Sequence, residues 1–286
     1  MFTVFGAHGN TGSIVATRLL EAGKQVRAVA RDARKLEPLR GKGAEVLAGD
    51  VTDAAFVTKA LAGAEGAWLL LPPDNASSDL VARNRKLVGH YTAGLRANKV
   101  PHAAFLSSVG AQVPSGTGPI QTTHIAETEL PASGTTLTFV RAAYFMENIL
   151  ANAYPMKQDG VLPVFGGGET YAFPMVATRD IGEVAAEALL APAKQTQWIE
   201  LSGPKEYSMV DAADEASKIL GKPVKAVALP IEQVVPTFTQ FGFSANVAGL
   251  YREMIEGFAK GIVRFEGKPA RRGKVTLAEV LRAGLA

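Results

Sequence analysis

The chain has 286 residues, 47% of them hydrophobic, with 30 basic and 27 acidic side chains, a net charge of +3, four histidines and no cysteine. That length can bury a full core and still build a second lobe, and the interleaved charge argues against a nucleic-acid binder. The lack of thiols excludes a disulfide framework, a cysteine nucleophile and thiolate metal sites. No run of about 20 apolar residues is present to span a bilayer and no presequence fits ahead of the first strand, so a cytoplasmic, enzyme-sized unit is expected.

In chain order, Phe2 to Phe5 reads as a strand, Gly6-Ala7-His8-Gly9-Asn10-Thr11-Gly12 as a tight turn and Ser13 to Leu20 as a helix. Glycines let the backbone turn and a ligand approach, and a helix N-terminus offers unpaired N–H groups to a pyrophosphate, so a dinucleotide is the expected occupant. Glycines at the first, fourth and seventh positions depart from the commoner dinucleotide fingerprint, and a turn of this kind can also serve only to join strand to helix. Gln25 to Ala30 is a second strand that ends in Arg31, where an NAD-preferring fold places an acid. An arginine fork suits the 2′-phosphate of NADP, and Arg34 and Lys35 add charge to the same corner. Asp32 leaves an opening for NAD, since a shift of one residue would present its carboxylate to the ribose.

Glu45 to Ala48 is expected as the third strand, followed by Gly49-Asp50-Val51 and a helix from Ala54 to Leu61 capped by Thr52 or Asp53. Asp50, at a strand's C-terminal end, can accept from an adenine amino group or act as a cap. Gly66 to Leu71 is a fourth, buried strand stopped by Pro72-Pro73, and Leu71 to Asn75 should pass close to the cofactor. A long helix over Asp79 to Ala97 and a fifth strand over Ala103 to Leu106 follow. This alternation calls for βαβ crossovers: a Rossmann-type α/β fold, its mostly parallel sheet carrying helices on both faces, with a smaller C-terminal α/β lobe. Residues 1–153 are assigned to the nucleotide-binding domain, with parts of 170–200 returning to it, and 154–286 mainly to the substrate lobe.

Ser107 and Ser108 close the fifth strand on the ligand-binding edge, where a hydroxyl can hold a substrate oxygen or orient a nicotinamide, or simply form the turn. Gln112 to Thr122 is expected to be mobile. His124 opens the next helix and can exchange a proton near neutral pH or serve only in packing. His8, His90 and His102 are dispersed without metal-ligand spacing, so no metal is expected. Thr135 to Val140 is a sixth strand, leading through Arg141-Ala142-Ala143-Tyr144-Phe145-Met146-Glu147-Asn148 into a helix. Asp180 is expected to cap a helix over Ile181 to Leu190, Ser208 one over Ser208 to Leu220, and Thr276 the last one. Phe238, Phe241, Phe243, Tyr251 and Phe258 are first of all lobe core but can wall an aromatic-binding pocket, and the basic stretch from Lys260 to Lys274 reads as a solvated loop at least as well as a binding patch.

These marks together resemble the NmrA-like group of atypical short-chain dehydrogenase/reductases, and among them the bacterial NAD(P)H:quinone oxidoreductases. They are the Gly6 to Gly12 turn, Val29-Ala30-Arg31, Gly49-Asp50-Val51, Ser107-Ser108, His124 to Glu129, Arg141 to Asn148 and Asp180-Ile181-Gly182. The resemblance implies that Gly6, His8, Gly9, Asn10, Thr11 and Gly12 hold the pyrophosphate, Arg31 the 2′-phosphate, Asp50 and Val51 the adenine side, and Leu71 and Pro72 the ribose region. Tyr144, Phe145 and Ser107 would border the nicotinamide, and Ser108, His124 and Asn148 the substrate, with His124 and Ser107 as the catalytic pair. The Tyr and Lys pair of ordinary short-chain dehydrogenases is missing near His124, which speaks against alcohol dehydrogenation but not against quinone reduction. The implied activity is hydride transfer from NADPH to a small quinone or aromatic acceptor, without nucleic acid or membrane as partner and with a homodimer left open. A non-catalytic NAD(P) sensor that regulates a protein partner, or an aromatic ether or lactone reductase, are the alternatives.

Overall fold

The computed structural model describes residues 1–286. The first half alternates β1 (Phe2–Phe5), α1 (Gly12–Glu21), β2 (Val26–Ala30), α2 (Glu37–Arg40), β3 (Glu45–Ala48), α3 (Ala54–Ala60), β4 (Gly66–Leu69), α4 (Leu80–Ala97), β5 (His102–Ser108), α5 (Gln121–Glu129) and β6 (Thr136–Ala142). The second half holds β7 (Tyr144–Phe145), α6 (Ala153–Asp159), β8 (Val161–Phe165), β9 (Phe173–Val176), α7 (Thr178–Leu190), β10 (Gln197–Ser202) and β11 (Glu206–Tyr207). It continues with α8 (Met209–Leu220), β12 (Lys225–Leu229), α9 (Val234–Gln240), α10 (Ala245–Ala259), β13 (Arg271–Arg272) and α11 (Leu277–Leu285). No helix is long and apolar enough to cross a membrane.

Eight strands form one sheet in the order β13-β10-β6-β5-β4-β1-β2-β3, and every neighbouring pair is parallel. In the central strands β1 and β4 side chains alternate between two buried faces, which is why these strands are apolar almost throughout. Val4, Trp68 and Ala104 join one core with Val15 and Leu19 of α1 and Ile181 and Val184 of α7. Phe5, Leu69 and Phe105 join the other with Val57 of α3, Leu95 of α4 and Ile125 of α5. A Cβ at Gly182 would run into Ile14, so this glycine lets α7 lie directly on α1. The order reverses between β1 and β4, the switch point at which open α/β sheets bind nucleotides.

A third core, including Met146, Met156, Leu162, Met175, Tyr207 and Leu281, builds the lobe beneath two small sheets, β11-β9-β7 and β12-β8. Its helices α8 and α11 start at capping boxes, Ser208 with Asp211 and Thr276 with Glu279, as the sequence predicts.

Four local expectations are corrected. Gln112 to Thr122 is packed against the lobe: Thr117, Gly118 and Ile120 are buried, and the Gln112 amide donates to the Arg264 carbonyl at 2.6 Å. Asp180 lies inside the first turn of α7, whose N-cap is Ala177; its carboxylate accepts from the Lys274 and Val275 amides at 3.0 Å and so ties down the C-terminal segment. The basic stretch from Lys260 to Lys274 is not merely solvated, because Val263 and Phe265 are buried and β13 extends the main sheet. Met146 to Asn152 turns as a 3-10 segment, not an α-helix.

His102 starts β5 edge-on to Phe2, with Nε2 3.0 Å from the Leu189 carbonyl. Burial lowers its pKa from the ordinary 6.5, so the unfolded chain takes up this proton more readily than the folded one. Stability is therefore full above pH 6.5 and is lost as pH falls below it. His8, lowered by burial and then by Lys35 and Arg31, acts in the same direction. The urea midpoint is expected to fall between pH 7.5 and 5.5, and less steeply in His102→Gln; equal slopes in the two proteins would remove His102 from the effect.

Candidate active site

The glycine turn sits where β1 feeds α1. Gly6 has φ +61°, and a Cβ at Gly12 would run into the Gly6 carbonyl oxygen, so the turn closes only with glycine at both ends. The first backbone amides reached from this turn, those of Asn10, Thr11 and Gly12, donate to no carbonyl of the chain, and Thr11 at the N-cap supplies no side-chain cap. Three N–H groups at the positive end of a ten-residue helix form a cradle that fits a pyrophosphate.

At the neighbouring strand end, Arg31 follows β2 directly, is exposed and forms no ion pair. Asp32 is otherwise engaged. Its carboxylate accepts from the Arg34 amide and side chain at 2.8–3.0 Å and is held down to about 2 by that arginine, so it caps the following turn rather than waiting for a ribose. The His8 ring shares this electropositive corner with Arg31 and Lys35. Asp50 uses one oxygen to accept from the Thr52 amide at 2.9 Å, which favours its charged form, and Asp53 is the residue that caps α3. The Val51 carbonyl is fixed by Nδ1 of His90 at 3.0 Å.

Further along the same edge, beyond β4 and β5, lies a cavity of ≈ 230 Å³. Its floor is the segment Leu71 to Asn75 with Leu106, Ser107 and Ser108, one side is Ile120, Thr122 and Thr123, and Phe145, Val247 and Tyr251 close it from the lobe. The floor segment is rigid: Arg83 pairs with Asp74 at 2.9 Å and donates to the Pro72 carbonyl at 3.1 Å. Three contacts fasten the lobe to it, Ser244 N to the Asn75 carbonyl (2.8 Å), Ser244 Oγ to the Ser77 carbonyl (2.5 Å) and Leu80 N to Asn246 Oδ1 (3.0 Å).

Of the residues singled out in the sequence, Leu71, Pro72, Ser107, Ser108 and Phe145 line this cavity. Tyr144 points instead into the aromatic packing of the lobe, edge-on to Phe173; burial first, and then Tyr251, pushes its phenol up to about 12. Asn148 itself is exposed. His124 is not on the cavity wall: its Nδ1 donates to the Ala111 carbonyl at 2.8 Å. Ser107, 2% exposed, donates its proton to Glu127 Oε1 at 2.5 Å and is not a free donor. The same carboxylate accepts from Arg141 Nε (3.0 Å) and Nη2 (2.7 Å) and from Trp198 Nε1 (3.0 Å), so Ser107 belongs to a buried charged network at the strand end. Asn75 also lines the cavity, as expected of the Leu71 to Asn75 segment, whereas Val247 went unassigned in the sequence. The aromatic spacing along the lobe was the one signal for Tyr251.

The profile of the NmrA-like family matches residues 1–261. An NAD(P)H azoreductase of Xenophilus azovorans is 28% identical over 99% of this chain and 97% of its own. A (4-alkanoyl-5-oxo-2,5-dihydrofuran-3-yl)methyl phosphate reductase of Streptomyces griseus is 31% identical over 81% of this chain and 78% of its own. Among solved structures, an NADPH-dependent quinone oxidoreductase of Escherichia coli in complex with NADPH superposes with a TM-score of 0.82 at 24% identity, covering 99% of both chains. A profile that runs through the glycine turn, the Arg31 corner, the Ser107 edge and α10 spans every wall of the site, and the chain belongs to the NmrA-like family.

Proposed function

We propose that this chain is an NADPH-dependent reductase of small quinones and similarly flat conjugated acceptors. The observation that carries the reading is the cavity of ≈ 230 Å³ on the same sheet edge as the phosphate cradle, closed by apolar and aromatic side chains from both the sheet and the lobe. A site that only sensed the dinucleotide would need no such second chamber. The relatives named above are reductases of azo, dihydrofuranone and quinone compounds, all of them conjugated acceptors.

Residues of the turn, Gly6 to Gly12, hold the pyrophosphate through backbone amides, and Arg31 holds the 2′-phosphate. Asp50 and Val51 border the adenine, and Leu71 and Pro72 border the ribose. When bound, the dinucleotide supplies a hydride at its nicotinamide ring. The protein fixes the acceptor against that ring and keeps water out: Phe145, Ile120 and Val247 present apolar surface, and the contacts of Ser244 and Asn246 hold the lobe closed over the floor.

The deciding measurement is loss of reduced-nicotinamide absorbance with benzoquinones, naphthoquinones, azo dyes, aldehydes and aromatic ethers. Decay with the quinones above the uncatalysed rate is expected; none with any acceptor would leave a dinucleotide sensor. In the same assay His124→Ala is expected to cost about 1 kcal/mol of stability, the worth of its bond to the Ala111 carbonyl, and to lower the single-turnover rate by less than about 10-fold. A larger fall in rate with unchanged stability would restore His124 as the proton donor.

A further inference from the structure

Five hydroxyl-bearing residues line the cavity, Ser107, Ser108, Thr122, Thr123 and Tyr251. Four have already committed their protons within the protein. Ser107 donates to Glu127 (2.5 Å), Ser108 to the Val109 carbonyl (3.0 Å), Thr122 to the Pro119 carbonyl (2.8 Å) and Thr123 to the Ile120 carbonyl (2.7 Å). The Tyr251 hydroxyl has no such bond, and burial raises its pKa. Its ring is clamped by Phe238 at 5.3 Å and Phe243 at 5.6 Å, which fixes where the phenol points without using its polar end. No hydrogen bond joins the Tyr251 hydroxyl to the phenol of neighbouring Tyr144. The amides of Asn75 and Asn84 also reach the wall, but an amide can donate a hydrogen bond and does not give up its proton.

We infer that Tyr251, carried into the site by α10 of the lobe, is the catalytic residue that binds the acceptor's oxygen and protonates it. The inference rests on the reductase reading above. The acceptor gains two electrons with the hydride, negative charge develops on its oxygen, and the O–H bond of Tyr251 breaks as the new O–H of the product forms. The tyrosinate regains its proton from solvent. Burial raises the pKa of the phenol, which therefore stays protonated and ready to donate at neutral pH. No lysine follows it at the spacing used by ordinary short-chain dehydrogenases, where Ile255 stands, so it acts as an acid and is not poised as a base for alcohol oxidation.

The test uses Tyr251→Phe, which removes only a hydroxyl that no protein group needs. The first readout does not require turnover: the infrared carbonyl bands of 2-methyl-1,4-naphthoquinone, 13C-labelled at one carbonyl, bound to protein saturated with NADP+. One band is expected at lower frequency in the parent protein than in Tyr251→Phe; identical bands would overturn the inference. The second is the single-turnover rate with NADPH, expected to fall roughly 10- to 100-fold in the variant, with NADPH affinity unchanged. A variant that keeps more than half the parent rate with every quinone overturns it. On the parent protein alone, a slower single turnover in D2O is expected, and no solvent isotope effect would count against proton donation. If the parent protein oxidises NADPH with no acceptor, the reductase reading fails, and the carbonyl bands still decide whether Tyr251 holds the oxygen.

Discussion

Arg31→Ala is expected to weaken NADPH binding by about 1.5–3 kcal/mol, roughly 10- to 150-fold in Kd, and to change NADH binding by less than about threefold. Arg31 leaves the end of β2 beside the glycine turn with no carboxylate partner of its own. The one acid at hand is Asp32, and Arg34 with its own backbone amide occupies both Asp32 oxygens. An acid so engaged neither accepts the ribose hydroxyls of NADH nor neutralises Arg31, while Lys35 and the His8 ring stand in the same corner without opposing its charge. A guanidinium free of competitors gives nearly its full charge-assisted bond to a phosphate and nearly nothing to a ribose lacking one. Titration calorimetry with both nucleotides decides it: equal losses for the two would show that Arg31 only decorates the start of the following turn.

Glu127→Ala is expected to destabilise the fold by about 3 kcal/mol, at the lower end of the 3–5 kcal/mol for breaking a buried ion pair. For a chain of this size that lowers Tm by roughly 6–12 °C. Glu127 and Arg141 are only 8% and 5% exposed, and the carboxylate takes four hydrogen bonds from Ser107, Arg141 and Trp198. Removing it strands the Trp198 N–H and the Ser107 hydroxyl and leaves the buried guanidinium to Glu200 at 3.7 Å and to the exposed Glu266 at 2.5 Å. Those two carboxylates are the reason for the lower figure. The double variant Glu127→Ala, Arg141→Met should recover part of the loss, because the charge left unpaired goes with it. Thermal unfolding of the set measures this; a single variant within 1 °C of the parent would mean that the network contributes no net stability.

These expectations depend unequally on sequence and on tertiary structure. The strand, turn and helix of residues 2–21, the βαβ succession, and the caps at Asp53, Ser208 and Thr276 are governed by neighbours a few residues apart, and all were legible from propensity and spacing. The charge at Arg31 was legible for the same reason, since a strand end fixes its next residue.

Partners far apart in the chain were not legible. Asp180 has the form of a helix cap, yet its acceptors are used by amides 94 and 95 residues later. Ser107 has the position of a substrate ligand, yet its proton is drawn off by Glu127 from the following helix. Gln112 to Thr122 has the composition of a mobile loop, yet α10 and the Arg264 carbonyl bury and hold it. Tyr251 lies 143 to 180 residues from the floor it closes over, and nothing in its local pattern separates it from the other aromatic residues of the lobe. The sequence by itself determined the parallel sheet, the phosphate cradle and the Arg31 corner, because hydrophobic period, glycine and strand end act over short separations. Only the tertiary structure decided which hydroxyl on the cavity wall keeps a proton to give, because a donor is free or spent according to acceptors that the fold brings in from elsewhere in the chain.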